Sequence, residues 1–469
     1  MFEIIKNEWR FILRNHIFIG ISLVFIFTVF LTVLLGNDVT KKESESHHDA
    51  REHIRQQWTT IDGMNPHRAA HFGTYIFKPV NLLNSLDEGI ENITGNTIKV
   101  EGHVQNEIIH SETSQMQTIS RFGKLTASLI LKFILPVLLI FLAFNAISHD
   151  KRSGRLKLMI LQGASIVKII LSKTIAVWLY SIFLLIFIIS TYCILNIEHL
   201  TTQIAIRTLL FFLAYACYYF IITGLTFYCT IRSKNERLAL TAMLSVWIIW
   251  TMFLPSIVMS ATEQWDPLPT RNTFQSAMKE DRSKGIDGHN PTDKRGLELK
   301  EEVLKKYNVD SLSQLPINFD GLRMQADEDY GNSVWDKHFG DNRDILHKQK
   351  QNFQLFGSIN PFISLHNLSM GFMASDNLHH QKFLLQVEDY RRDFIKTLND
   401  KQTFGGSKTG NWGWKEDNSF FKSIPDFKYK PVALSSVVSY YLTDIILLLI
   451  WTLCIVLLIF FGTKKLQLL

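Results

Sequence analysis

The run IFIGISLVFIFTVFLTVLLG, Ile17 to Gly36, holds no charged residue over twenty positions. A bilayer-crossing helix needs roughly 20 mostly apolar residues, whereas a cleaved leader has a shorter apolar core ending at small residues. This run ends LLGND, so it reads as an uncleaved first span. Similar runs follow at Leu125 to Ile147, Thr174 to Ile194, Leu209 to Thr230, Ala239 to Met259 and Val437 to Phe461, making six spans. The second carries Lys132 and Pro136, the fifth carries Pro255 near its end, and the sixth carries Asp444. Lys132 must either snorkel outward or face the bundle interior.

Between the spans lie two polar blocks, Asn37 to Arg121 and Ser260 to Pro431. They explain a mean hydropathy of only +0.08 in a chain of 469 residues that is 47% hydrophobic. Such a partition excludes an ordinary soluble enzyme. Aromatic content of 12% against 20% charge excludes disorder. The net charge of +6 sits beside the apolar runs, so it is a membrane-orientation signal and predicts no nucleic-acid partner. All four cysteines, Cys193, Cys217, Cys229 and Cys454, fall in apolar runs. The blocks therefore fold without disulfides and hold no cysteine-based zinc site.

Lys and Arg counts set the orientation. Lys6, Arg10 and Arg14 precede the first span. Lys151, Arg152, Arg155, Lys157, Lys168 and Lys173 separate the second from the third. Arg232, Lys234 and Arg237 separate the fourth from the fifth, and Lys464 and Lys465 end the chain. These fourteen basic residues face a single one, Arg207, in the opposite loop from Asn196 to Thr208. Both termini are thus expected in the cytoplasm and both blocks outside. The segment MFEIIKNEWRFILRNH, residues 1–16, is basic and places Phe2, Ile5, Trp9, Ile12 and Leu13 on one face, as an interfacial helix does.

Within block one, KKESESHHDAREHIRQQW reads as helix, Pro66 and Pro79 as breakers, and NTIKVEGHV as a short strand; from Glu107 the pattern returns to helix. Block two predicts helices over Asp293 to Tyr307, Ser333 to Phe356 and Asp376 to Leu398, then a Gly-rich loop from Thr403 to Trp414. The last helix is amphipathic through Phe383, Leu384, Val387, Tyr390, Phe394 and Leu398. The fold class is therefore membrane all-α. A bundle of six transmembrane helices carries two extracytoplasmic insertions that form a mixed, mainly helical α+β outer domain.

Catalytic motifs are missing. The string GGSKTG, Gly405 to Gly410, has Gln402 where a phosphate loop needs its first glycine and Ser407 where it needs its second. No G-x-S-x-G occurs, and Asp327, Glu328 and Asp329 read as a solvated charge run. Among 16 histidines, His67 and His71 stand one helical turn apart, and His379 and His380 open the last helix of block two. The pair lacks the intervening glutamate of a zinc protease, and no third ligand has telling spacing. The reading therefore assigns no metal, with His67, His71, His379 and His380 as candidates. Asp444, near Tyr440 and Tyr441, reads as an interfacial residue.

The most specific segment is SHDKRSGRLKLMILQGASIVKIILSK, Ser148 to Lys173. A charged start, a break at Gly154, a short apolar helix and a second turn at Gly163 describe a protruding helix suited to a groove on a soluble partner. Here the chain resembles the permease subunits of type-2 ABC exporters, whose pattern is roughly E-R-E-x-G-T-L, a six-residue apolar helix, a small turn and G-K. Gly154 and Leu156 match, Asp150 is a conservative match, Arg152 and Arg155 depart from an acid and a threonine, and Ser172-Lys173 stands for Gly-Lys. Further strings, NPHRAAHFGTYIFKP, NSLDEGIENITGNTIKVEGH and SDNLHHQKFLLQVEDYRRDFIKTLN, resemble a subfamily with a domain of unknown function and large insertions after the first and fifth spans.

The resemblance implies a permease half in a bacterial inner membrane, paired with an identical or paralogous half and with two copies of a cytoplasmic ATPase. ATP and Mg would reside on that ATPase, and the chain itself would bind no cofactor. Asp150, Lys151, Arg152, Gly154, Leu156 and Lys157 would couple to the motor. Lys132, Pro136, Pro255 and Asp444 are candidates for the pathway or for flexibility. Export or extraction of a substrate is the expected function. The alternatives are mechanical action on an extracytoplasmic partner and copper handling.

Overall fold

The computed structural model describes residues 1–109, 125–233, 235–290 and 292–463. Block one from residue 110 through Arg121, with Lys234, Lys464 and Lys465, lies outside those residues; of the helical return expected from Glu107, residues 107–109 are described and are not helical, Ile109 bridging to Thr97.

Helix α1 (Phe2–Arg14) stops at Asn15, whose extended backbone breaks the helix and whose side chain accepts hydrogen bonds from Ile17 N at 3.1 Å and Phe18 N at 3.4 Å. That cap starts α2 (His16–Thr59), a single helix of 44 residues. The expected first span and the charged helix of block one are thus one element, because neither Gly nor Pro interrupts the stretch from Asn37 to Thr59. A short α3 (Pro66–Phe72), β1 (Thr74–Phe77) and β2 (Thr97–Val100) follow. The strands pair antiparallel with Thr74 opposite Val100 and Phe77 opposite Thr97. The strand foreseen in NTIKVEGHV is present, but the only sheet among the described residues is this two-stranded one.

Next come α4 (Ala127–Arg152), α5 (Arg155–Leu161), α6 (Ile166–Leu195), α7 (Thr202–Arg232) and α8 (Arg237–Trp265). Block two contributes α9 (Arg271–Ser283), α10 (Lys294–Tyr307), α11 (Phe319–Leu355), α12 (Pro361–Phe372), α13 (Asn377–Phe404) and α14 (Asn418–Ser423). The chain closes with α15 (Leu434–Tyr440) and α16 (Leu442–Gly462). Six of these helices, α2, α4, α6, α7, α8 and α16, are long and apolar enough to cross a membrane.

At the bundle's centre lies α7, packed by α4, α6, α12 and α16. Its aromatic residues Phe211, Tyr215, Tyr218 and Tyr219 are fully buried. Gly224 makes the crossing with α16 close: a Cβ there would stand 2.4 Å from Ile455 Cγ2. Pro136 and Pro255 each follow a π-helical turn, Ile130–Ile134 and Ile249–Phe253. A proline removes one backbone donor and its ring collides with the carbonyl four residues back, and a wider turn absorbs both faults. Both helices run on continuously through these wider turns.

The two polar blocks share a second core. Trp58 from the end of α2 and Ile61 just after it, Ile76 and Val100 from the strands, Phe383, Phe394 and Leu398 from α13, and Phe421 from α14 pack together. Trp58 Nε1 donates to Phe421 O at 3.0 Å. The long helix of block two begins at Phe319, 14 residues before the expected start at Ser333. Asn318 caps it through Asp320 N at 2.9 Å. Asp327 and Glu328, expected on a solvated face, are 5% and 4% exposed, Asp327 paired with half-buried Arg282 and Glu328 with buried Arg391. The apolar helix α12 was not foreseen. It buries Phe362, Leu365 and Leu368 in the core shared with α7 and α16, and Ile363 against Val258 of α8 and Phe353 of α11, so block two caps the bundle.

Candidate functional site

Three constellations gather the candidate residues. The first surrounds the turn between α4 and α6. Gly154 adopts φ +74°, the left-handed conformation that an L side chain resists, and from it α5 runs outward. Its outer residues Leu158 and Leu161 are 54% and 75% exposed, while Leu156 is buried. Below the turn, Asp150 is buried on α4, with Lys173 Nζ of α6 at 2.8 Å and Arg155 Nη1 at 3.5 Å. Lys173 is fully buried, donates to Ala146 O at 3.3 Å, and is also ion-paired with Glu8 of α1. Lys151 Nζ reaches the carbonyls of Thr230, Ile231 and Ser233 at 2.7, 3.1 and 3.0 Å, where a cation complements the end of α7. Arg152 bonds back to Ser148 O at 3.3 Å, and Lys157 is exposed. Of the six candidates, Asp150, Lys151 and Leu156 therefore face inward. Glu8 had no signal of its own in the sequence; its partner is 165 residues away.

The second constellation lies where α12 enters the bundle. Lys132 Nζ meets Asp87 Oδ2 at 2.6 Å, so the lysine faces the interior. Asp87 also accepts from Ser369, whose hydroxyl is 3.0 Å from Tyr215 OH. Asp444 faces the protein interior. It is fully buried, bonded to Gln354 and at 3.1 Å to Asn367 Nδ2, because α11 and α12 cover the first turn of α16. Arg207 donates to Gly371 O and Phe372 O at 3.3 Å, Val432 O at 3.1 Å, and contacts His379 Nε2 at 3.3 Å.

The third constellation divides the candidate histidines. His379 is held by Asp376 and Arg207, and His380 Nδ1 sits 3.4 Å from Lys78 Nζ. Burial, then that ammonium, pushes His380 down to about 4. Both serve the packing of α13. His67 and His71 are drawn together, Nε2 to Nε2 at 3.1 Å, and are joined by His103 and His289. One ring nitrogen from each of the four lies within 4.8 Å of the others. Burial and then the three neighbouring imidazoles push His67 down to about 3; burial and the imidazoles beside them also lower His71 and His289. His103 and His289 carried one unused signal, a preceding glycine after an acid, in EGH and DGH.

Residues 56–275 match the family described as ABC-2 family transporter protein, and residues 271–430 match a domain of unknown function, DUF3526. No curated protein and no solved structure matches the chain. With six apolar helices of spanning length, it is a multi-pass membrane protein. Between them the two matches reach from residue 56 to 430: the chain joins an ABC-2 family transporter region to a DUF3526 domain, consistent with a type-2 ABC permease bearing an additional domain.

Proposed function

We propose that this chain is the permease half of an ATP-driven exporter or extractor. ATP and Mg reside on two copies of a cytoplasmic ATPase, and a second permease half, identical or related, stands beside it. The observation that carries the reading is the buried Glu8–Lys173–Asp150 link beneath α5. A loop that only set topology needs no such anchor. The exposed tip at Leu158 and Leu161 suits a groove on a soluble motor, and the link ties its root to α1, α4 and α6 at once. Basic residues crowd this end, which supports its placement in the cytoplasm. Both blocks then lie outside.

Affinity capture of the tagged chain in mild detergent, followed by intact-complex mass spectrometry, is expected to give two permease chains with two ATPases. Leu158→Asp with Leu161→Asp should release the ATPase and leave the permease folded. Recovery from native membranes without any ATPase sinks the reading.

One observation favours a second, mechanical reading: α2 runs unbroken from the bundle into the core of the polar module. A proline at exposed Ser44 would break that connection. Cargo transport that persists in Ser44→Pro supports passage through the bundle, whereas lost function with ATPase coupling intact supports mechanical transmission.

A further inference from the structure

We propose that His67, His71, His103 and His289 form a binding site for one transition-metal dication of the zinc and copper(II) class. Imidazole nitrogens suit these ions, and no carboxylate oxygen stands among the four candidate ligand atoms, which disfavours calcium and magnesium. In a tetrahedral zinc site the bond length of about 2.0–2.1 Å separates ligand nitrogens by roughly 3.3 Å. His67 and His71 stand at 3.1 Å, and all four nitrogens are within 4.8 Å, so small side-chain rotations close the cage.

Two further observations point to a ligand. The buried ring nitrogen His103 Nε2 has no hydrogen-bond partner. The Nδ1 of His103 lies 2.9 Å from Asp327 Oδ2, and Asp327 is itself held by Arg282 at 2.6 Å. A carboxylate that accepts Nδ1–H fixes the tautomer and leaves the Nε2 lone pair for the ion, the outer arrangement common around metal-bound histidines. The backbone N–H of His103 donates to Glu328, and the residue is held at φ +62°. A left-handed non-glycine residue persists only where its surroundings hold it in place.

The ligands come from both matched regions: three precede residue 275, and His289 lies in the DUF3526 domain. The ion would therefore fasten the two polar blocks together. His71 and His289 are exposed, which gives the ion a route in from solvent. The site stands whether or not the transport reading holds.

The test uses the full-length chain in detergent, stripped with chelator and dialysed against zinc, with bound metal counted by mass spectrometry. About one zinc per chain is expected. His71→Gln with His289→Gln alters exposed residues, is expected to fold, and should lose at least nine-tenths of that retention; exposed His48→Gln should lose none. Asp327→Asn, which changes a positioning residue, should weaken retention about 10- to 100-fold. Zinc absorption spectra of the wild type should show imidazole scattering at about 2.0 Å. A repeat with copper(II) in which copper displaces zinc supports the site and names the preferred ion. Equal retention of both ions by wild type and the His71/His289 double variant overturns it, and leaves a hydrogen-bonded histidine cluster.

Discussion

Lys132 and Asp87 pair at 2.6 Å where both are almost wholly buried. Removing one partner strands the other charge, and breaking a buried pair in this way costs about 3–5 kcal/mol. Lys132→Met is therefore expected to lower the unfolding temperature in detergent sharply. Lys132→Met combined with Asp87→Asn should recover much of the loss; a double variant as unstable as the single one would contradict a pairwise account. At this scale the sequence was legible in part. An isolated lysine in an apolar run announces that it needs a partner, but that partner lies 45 residues upstream in a polar block. The burial of Asp444 was hidden for the same reason. Its place at the start of α16 suggests an interface, and the helices that bury it are 77 and 90 residues distant.

Helices were the most legible elements. Hydropathy alone pointed to the six helices of spanning length among the described residues, and the alternation in NTIKVEGHV located β2. What failed was the reading of elements whose burial depends on others. Helix α12 has only 12 residues, too few to suggest a span, and its apolar character is explained only by the bundle end it covers. The turn at Gly154 yields a prediction at this scale. Its φ of +74° tolerates Gly or Asn, while a β-branched side chain there adds about 1–2 kcal/mol of strain. No neighbour lies within 4 Å of a Cβ at this position, so the strain is purely conformational. Gly154→Val should therefore impair stimulation of the partner ATPase while Gly154→Asn keeps most of it. Equal activity of the two variants in a reconstituted complex would show that the turn's shape does not matter.

In the whole molecule, two blocks separated by more than 130 residues of sequence build one module (Arg121 to Ser260). Trp58 sits in that shared core at 3% exposure, with Phe394 and Phe421 rings 5.0 and 5.8 Å away. Trp58→Ala removes a large buried ring, a change that costs about 3–5 kcal/mol. Limited proteolysis should then cut both blocks at lower temperature while the bundle stays intact; cleavage confined to one block would mean that they fold separately. The helix that delivers Trp58 has a mechanical consequence. At 1.5 Å per residue, 44 residues reach about 66 Å, more than twice the roughly 30 Å of a bilayer's hydrocarbon core. Such a rod is a moment arm. A pivot of about 10° at the Asn15 break would sweep its far end through roughly 11 Å on that geometry. On the mechanical reading, such an arm would trade force for stroke and suit the distant module to long displacement under light load.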